Sequence, residues 1–501
     1  MKVTLILFAG AAALELLAHL FGRWRRPRSI LAVLALCTGG ISAGMLAAVQ
    51  PNVFTVVIAL LSVYRMFNMI RVVWQRMHEH YLRNATRTTT FSLLGMQVAA
   101  FAAWAAWQQW YAGGSLVWSV AGVVQAAAAL MLVMSVRRTL TKSAWPPEKK
   151  HYSDRELPTV TVAIPARNET DDLRECLENI IASDYPKLEV VVLDDCSQTK
   201  RTPEIIKQFA HDGVRFVQGR PPEDTWLPKN QAYARLTEEA SGEYILFCGV
   251  DIRLEPPAIR KMISTMLARH KQMLCVLPRR QTGAYGHTSL IQAMRYWWEL
   301  APPRRSFRRP PVLSSCWVIQ RGLLKKAGGF AAVARSITPE AHFAKAAIQT
   351  DGYSFLRATH TPGVFSNKRV AEQRDTAIRT RYPQLHKRPE QVALLSLLEI
   401  GFLLMPFVLT LAGFWVAIGS VAHITAAVAS ILLVIAYEAS VLTAGVNTWW
   451  FGLAGQPLAV LTDLVLLHFS MWKYEFSIVE WKGRNVCIPV MHVVPHLPKV
   501  E

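Results

Sequence analysis

Three short stretches carry side chains suited to holding a charged ligand: Ala166-Arg167-Asn168-Glu169, the pair Asp194-Asp195, and Asp251. Each follows an apolar run of strand length. Carboxylates that converge from several strand ends suit a divalent cation together with a diphosphate. Mg2+ and Mn2+ prefer oxygen ligands and share them with substrate phosphates. A single Asp after a strand commonly turns or caps the chain. The joint pattern is what points to chemistry.

The elements that must position these groups alternate in type. Residues 159–164 (Thr-Val-Thr-Val-Ala-Ile) read as a buried strand between Pro158 and Pro165. An amphipathic helix follows at 170–183, then a strand at 188–193 that runs into Asp194-Asp195. A helix near 202–211, a short strand at 214–217, a helix at 229–240 and a strand at 244–248 complete the series. Strands alternating with helices imply an α/β domain with a mostly parallel sheet and right-handed crossovers. Ligands bind such sheets at the carboxyl ends of the strands, which is where the three stretches fall.

The stretch 159–385 resembles the family 2 glycosyltransferases, which have a Rossmann-like GT-A fold and use nucleotide-sugar donors. Pro165-Ala166-Arg167-Asn168-Glu169 and Leu193-Asp194-Asp195-Cys196-Ser197 look like its two nucleotide-contacting loops. Lys229 with Ala232 resembles Gly-Lys-x-x-Ala, Ser241–Phe247 the lead-in to the metal motif, and Gly328-Gly329-Phe330 the turn before the catalytic acid. Four positions depart from the family. Asp-x-Asp becomes Gly249-Val250-Asp251, and the Gly before the lysine is Pro228. Thr-Glu-Asp becomes Thr338-Pro339-Glu340, and Gln-x-x-Arg-Trp becomes Ile378-Arg379-Thr380-Arg381-Tyr382.

The resemblance implies a donor site of Pro165, Arg167, Asn168, Glu169, Asp194, Asp195, Lys229, Arg379 and Arg381, with a divalent cation (Mg2+ or Mn2+) on Asp251. It makes Glu340 the general base of an inverting transfer, with a UDP-sugar expected ahead of a GDP-sugar. The altered Gln-x-x-Arg-Trp motif argues for transfer of a single sugar rather than processive synthesis. A scaffold that kept the fold and lost the chemistry is the main rival, and a polysaccharide synthase the second. Arg379 and Arg381 could equally meet a membrane surface, since a span follows them.

The chain has 501 residues, 52% hydrophobic and only 18% charged. Apolar runs long enough to span a bilayer lie near 3–21, 29–49, 52–73, 89–111 and 115–136, and again near 391–420, 422–444 and 455–472. Arginines at 23, 25, 26 and 28, at 76, 83 and 87, and the basic run after 137 place those loops inside. The expected architecture is therefore an α-helical membrane bundle plus α/β. An N-terminal membrane domain (1–137) and a C-terminal one (391–472) flank a cytosolic GT-A domain (155–385), with a basic tail at 473–501. The expected location is the inner cell membrane, multi-pass. Three crossings after 385 would put the tail outside, whereas Lys473, Lys482 and Arg484 argue for inside. Either 391–420 is a hairpin or partly interfacial, with Pro406 as a break, or the tail departs from the rule.

The formal net charge of +20 fits membrane-flanking basic clusters, not nucleic acid. Residues 285–303, with Tyr296, Trp297 and Trp298 before the Arg304–Arg309 cluster, read as an interfacial helix. With the domain between membrane bundles, the acceptor is expected to be a membrane lipid or a lipid-linked sugar. Trp481-Lys482-Gly483-Arg484 resembles a tail of ceramide, hopanoid and carotenoid glycosyltransferases. Glu15 and His19, one turn apart in the first span, should face neighbouring helices; Arg65, Asn68 and Arg71 share a stripe expected to snorkel or meet lipid phosphate. The seven scattered cysteines suit free thiols in a reducing compartment.

Overall fold

The computed structural model describes residues 2–20, 25–49, 53–77, 86–110, 115–147, 150–223, 225–280, 290–301, 310–359, 363–416, 418–442, 452–476 and 478–487. They form two compact units, one of residues 1–128, 378–430 and 464–478, the other of 129–377, 431–463 and 479–501. The Arg304–Arg309 cluster lies outside the described residues.

The second unit is built on a seven-stranded sheet. In chain order its strands are β1 (Val160–Ala166), β2 (Leu188–Asp194), β3 (Val214–Gln218), β4 (Tyr244–Cys248), β6 (Met273–Leu277), β8 (Cys316–Gln320) and β9 (Tyr353–Arg357). Their spatial order is β3-β2-β1-β4-β8-β6-β9. The β1–β2, β2–β3, β1–β4 and β6–β9 pairs are parallel, while β8 runs antiparallel to both neighbours. Val160, Val162, Ala163 and Ile164 of β1 are fully buried, as a central strand covered on both faces requires. A second, three-stranded sheet joins β5 (Ile252–Leu254), β10 (Val364–Ser366) and β7 (Arg279–Arg280) in that order. The strands expected from sequence are all present, and the mostly parallel sheet agrees with the expectation.

An aromatic block backs the middle of the sheet. Phe247 of β4 and Trp317 of β8 are register partners and stack at 4.3 Å. Tyr233, Phe330 and Phe343 close on them from helix Pro228–Glu239, the turn Phe330–Val333 and helix Glu340–Gln349. Aromatic pairs at such offsets add to the area they bury. The block thus fixes two elements that carry site residues, Lys229 and Glu340.

Among the described residues, six helices are long and apolar enough to cross a membrane: Pro27–Met45, Phe54–Trp74, Trp118–Lys142, Pro389–Ala412, Ser420–Leu442 and Ala454–Glu475. The expected first span forms a helix, Lys2–Leu20, whose apolar part Ile6–His19 is shorter. Of the alternatives open for 391–420, the hairpin is not formed. Helix Pro389–Glu399 continues through a π-helical turn, Ile400–Leu404, into Met405–Ala412. A π turn loosens the ladder where Pro406 lacks an N–H, so the proline is absorbed rather than breaking the helix.

Inside the first unit, charges are buried in pairs. Glu15 accepts from Arg65 Nε at 2.8 Å, and Arg65 also donates to Gln97. His19 meets Thr90, which accepts from Asn68; both Glu15 and His19 thus face neighbouring helices, as expected. Arg71 pairs with Glu475 at 2.7 Å. The expectation that Arg65, Asn68 and Arg71 snorkel is corrected, since they are 5%, 0% and 2% exposed. Each meets a polar partner on another helix, and in a low-dielectric interior an ion pair with further hydrogen bonds replaces water.

Candidate active site

The loops after β1 and β2 are laced together. Asn168 sits at φ 48°, a left-handed conformation that Asn tolerates better than most residues. Its N–H donates to Ser197 Oγ at 2.9 Å, and its Oδ1 accepts from the Gln198 N–H at 2.8 Å. Arg167 is buried and donates to the carbonyl oxygens of Asp195 and Cys196. Asp194 is buried and accepts from the Ser197 hydroxyl. Arg167 and Asp194 therefore brace the loops, and Pro165 lies half-buried within β1. The carboxylates of Asp195, buried, and Glu169, half-buried, each meet a basic side chain. Burial pushes the carboxyl of each above its ordinary range. Arg484 and Arg167 oppose this at Asp195, as Lys482 does at Glu169.

Asp251 follows the turn out of β4. The turn is set by Gly249 N–H donating to Ser315 O at 2.8 Å and Ile252 N–H to Gly249 O at 3.0 Å. Ser366 Oγ donates to Asp251 Oδ2 at 3.2 Å, and the Asn367 N–H to the Asp251 carbonyl at 2.8 Å. Asp251, Arg295, Tyr296, Ser315, Ser366 and Lys368 line one cleft. Burial alone would raise the Asp251 carboxyl, but the charges of Lys368 and Arg295 and the Ser366 hydrogen bond outweigh it and hold it below the ordinary value. A Cβ on Gly249 would come within 2.6 Å of Asp251 Oδ1. Asp251 thus folds over the place where the family carries its first carboxylate.

Glu340 is the first residue of helix Glu340–Gln349 and only 1% exposed. A carboxylate there faces the positive end of the helix dipole. Lys229, in the first turn of Pro228–Glu239, lies 3.9 Å from Glu340 Oε1 and 5.0 Å from the Tyr233 ring centroid. Pro228 stands at the first helical position, where a missing N–H costs nothing. Arg379 and Arg381 belong to the other unit. There the Tyr474 hydroxyl donates to the Arg379 carbonyl at 2.7 Å, and Arg381 lies 3.8 Å from Glu399.

Four basic residues were not foreseen as parts of the site. Arg295 lies on helix Leu290–Leu300, whose Tyr296 and Trp297 are buried in protein, not open to lipid as an interfacial helix would leave them. Tyr296 donates to the Pro278 carbonyl at 2.6 Å and Trp298 to Asp463 at 3.0 Å. Lys368 follows β10 in a stretch without a motif. Lys482 and Arg484 belong to a hairpin of β11 (Glu480–Trp481) and β12 (Arg484–Asn485) after the last long helix. Arg484 Nη1 donates to both oxygens of Asp195, at 2.9 and 2.8 Å, and Lys482 pairs with Glu169. The tail was legible as charge, but its contacts with Asp195 and Glu169 were not.

Residues 161–328, which hold β1 through β8 and the loops after β1, β2 and β4, match the Glycosyl transferase family 2 family. The chain is 27% identical over 186 residues to a probable glycosyltransferase of Bacillus subtilis, YdaM, covering 35% of this chain and 44% of that one. It is 30% identical over 114 residues to the glycosyltransferase AglE of Haloferax volcanii, covering 22% and 36%. The match thus spans less than half the length of either relative. Among solved structures, the mannosyltransferase PcManGT of Pyrobaculum calidifontis, in complex with GDP-Man and Mn2+, has a TM-score of 0.42 at 17% identity, covering 70% of this chain and 99% of that one.

Proposed function

We propose that the chain is an inverting glycosyltransferase. It moves a single sugar from a nucleotide-sugar donor to a membrane lipid or lipid-linked acceptor at the cytosolic face of the inner membrane. The observation that carries this reading is Asp251, set in a cleft with Arg295 and Lys368 on a family 2 domain. The six apolar helices of the same chain supply the reason for a membrane acceptor.

The donor nucleoside binds at the ends of β1 and β2, against Asn168, Glu169 and Asp195. Its diphosphate lies toward Lys368 and Arg295, with Lys229 as a further phosphate contact. No cluster of three His, Cys, Asp or Glu occurs among the described residues. Asp251, held ionised and hydrogen-bonded by Ser366, therefore fits a divalent cation only in a site shared with the donor's phosphates and water. Such a cation, Mg2+ or Mn2+, supplies charge neutralisation for the departing diphosphate. Lys368 and Arg295 supply part of that neutralisation themselves, which compensates for the carboxylate replaced by Gly249. Glu340 takes the proton of the acceptor hydroxyl, with Lys229 3.9 Å from its Oε1. A UDP-sugar is the donor expected ahead of a GDP-sugar.

The test is transfer of label from nucleotide sugars into lipid by membranes carrying the chain, with and without Mn2+. Asp251→Ala and Glu340→Ala should each lower transfer by about 100-fold or more. Lipid-soluble label indifferent to both substitutions rejects the site. No label with any donor favours a scaffold.

A further inference from the structure

The hairpin Val479–Cys487 stands far from the family domain in sequence, yet it lies on the loops assigned to the nucleoside. Its contacts gather there. Arg484 holds Asp195 through both carboxylate oxygens and, by Nη2, through the Asp195 carbonyl at 3.1 Å. The Lys482 carbonyl accepts from Arg167 Nε at 3.1 Å and from Asn168 Nδ2 at 3.4 Å, while its ammonium pairs with Glu169. Gly483, at φ 76°, makes the tight turn between the two basic residues, against the side chain of Gln198.

We propose that this hairpin is a wall of the donor site, with Arg484 and Lys482 as positioning residues that hold Asp195 and Glu169 for the nucleoside. The proposal rests on the donor reading given above and names a part of that site which the family match, ending at residue 328, does not contain.

Three arguments support it. The first is charge. Glu169, Asp194 and Asp195 crowd three carboxylates into the loops that must admit an anionic diphosphate ligand, and like charges at this range repel it. Lys482 and Arg484 neutralise two of the three. The second is capacity. A carboxylate has about four acceptor sites, and Arg484 reaches the Asp195 side chain through a single nitrogen. Asp195 can therefore still accept from a ribose hydroxyl or a base N–H while being held. The third is packing. Val479, Val486 and Cys487 are 1%, 5% and 7% exposed, and the Val486 N–H closes on the Val479 carbonyl at 2.9 Å. The hairpin is thus a packed part of the domain and not a loose cover.

The experiment measures binding of UDP and of GDP to the purified full-length chain in detergent, by calorimetry, for wild type, Arg484→Met, Arg484→Lys and Lys482→Met. Donor KM and kcat are read on the same proteins. Removing one partner of a desolvated pair should weaken nucleotide binding by about tenfold or more. Donor KM should rise by a similar factor while kcat changes less, and Arg484→Lys should recover part of the loss. Unchanged nucleotide affinity in Arg484→Met reduces the pair to a structural brace and overturns the proposal. Tighter binding or faster turnover overturns it too, because the hairpin would then obstruct the site. Should Arg484→Met fail to fold, Arg484→Lys and Lys482→Met give the same reading in milder form. A wild-type chain that binds neither nucleotide rejects the donor reading itself; wild-type binding with indifferent variants rejects only the role of the hairpin.

Discussion

Asp195 is raised by burial while its neighbour Arg484 pulls the other way, and this has a measurable consequence. As pH falls, Asp195 takes up a proton sooner than a free aspartate, whose ordinary value is 3.8. The pair with Arg484 then dissolves, so UDP affinity should begin to fall at a pH above that value. In Arg484→Met the opposing charge is gone, and this acid limb should move to still higher pH; a limb that stays in place removes Arg484 from the balance. The effect on folding has its own sign. A carboxyl raised in the folded state adds stability that is complete below its ordinary value and is lost as pH rises through the raised one. That Asp194, Asp195 and Asp251 fall at or just beyond strand ends was readable from the apolar runs before them. Arg295 and Lys368 were not, because each arrives from a separate element and only the cleft unites them. Arg65 and Arg71 were misread for a similar reason: a helical stripe shows which residues share a face, not which carboxylate on another helix faces it.

At the scale of elements, the helix that carries Glu340, the proposed base, packs on an aromatic block. Phe330 is 2% exposed and lies 5.4, 5.4 and 5.2 Å from Tyr233, Phe247 and Phe343, centroid to centroid. Phe330→Ala should cost about 3–5 kcal/mol, the range for a buried Phe, and should lower transfer through displacement of Glu340. Thermal unfolding of the solubilised chain measures the first, and the lipid-label assay the second. Phe330→Leu, which keeps more of the volume, should retain most of both. Much of this was legible: the Gly-Gly-Phe turn and the alternating strands stand out by residue type. Gly328 and Gly329, at φ 86° and 62°, occupy conformations that strongly favour glycine. The antiparallel β8 between β4 and β6 was not legible, because a buried apolar strand reads the same in either direction. The aromatic helix Leu290–Leu300 misled because Trp and Tyr serve equally in a protein core and at a bilayer surface.

For the whole molecule, the contact between Arg484 and Asp195 yields a prediction about parity. Helices Pro389–Ala412, Ser420–Leu442 and Ala454–Glu475 all lie between the family domain and the hairpin along the chain. Three full crossings would leave the hairpin across the bilayer from the domain, where it could not reach Asp195. The hairpin's place on the donor loops therefore predicts an even number of crossings after residue 385, with one of the three apolar helices re-entering or lying along the surface. The charges of Lys473, Lys482 and Arg484 then need no exception to the rule that basic segments stay inside. An epitope placed after the hairpin and another at the exposed Arg269–His270 turn should be reached by antibody from the same face of sealed vesicles. Labelling from opposite faces would mean an odd count and a hairpin that never meets the domain. On the proposed donor reading, a truncation to residues 161–328 would cut away Lys482 and Arg484 from the loops that they brace.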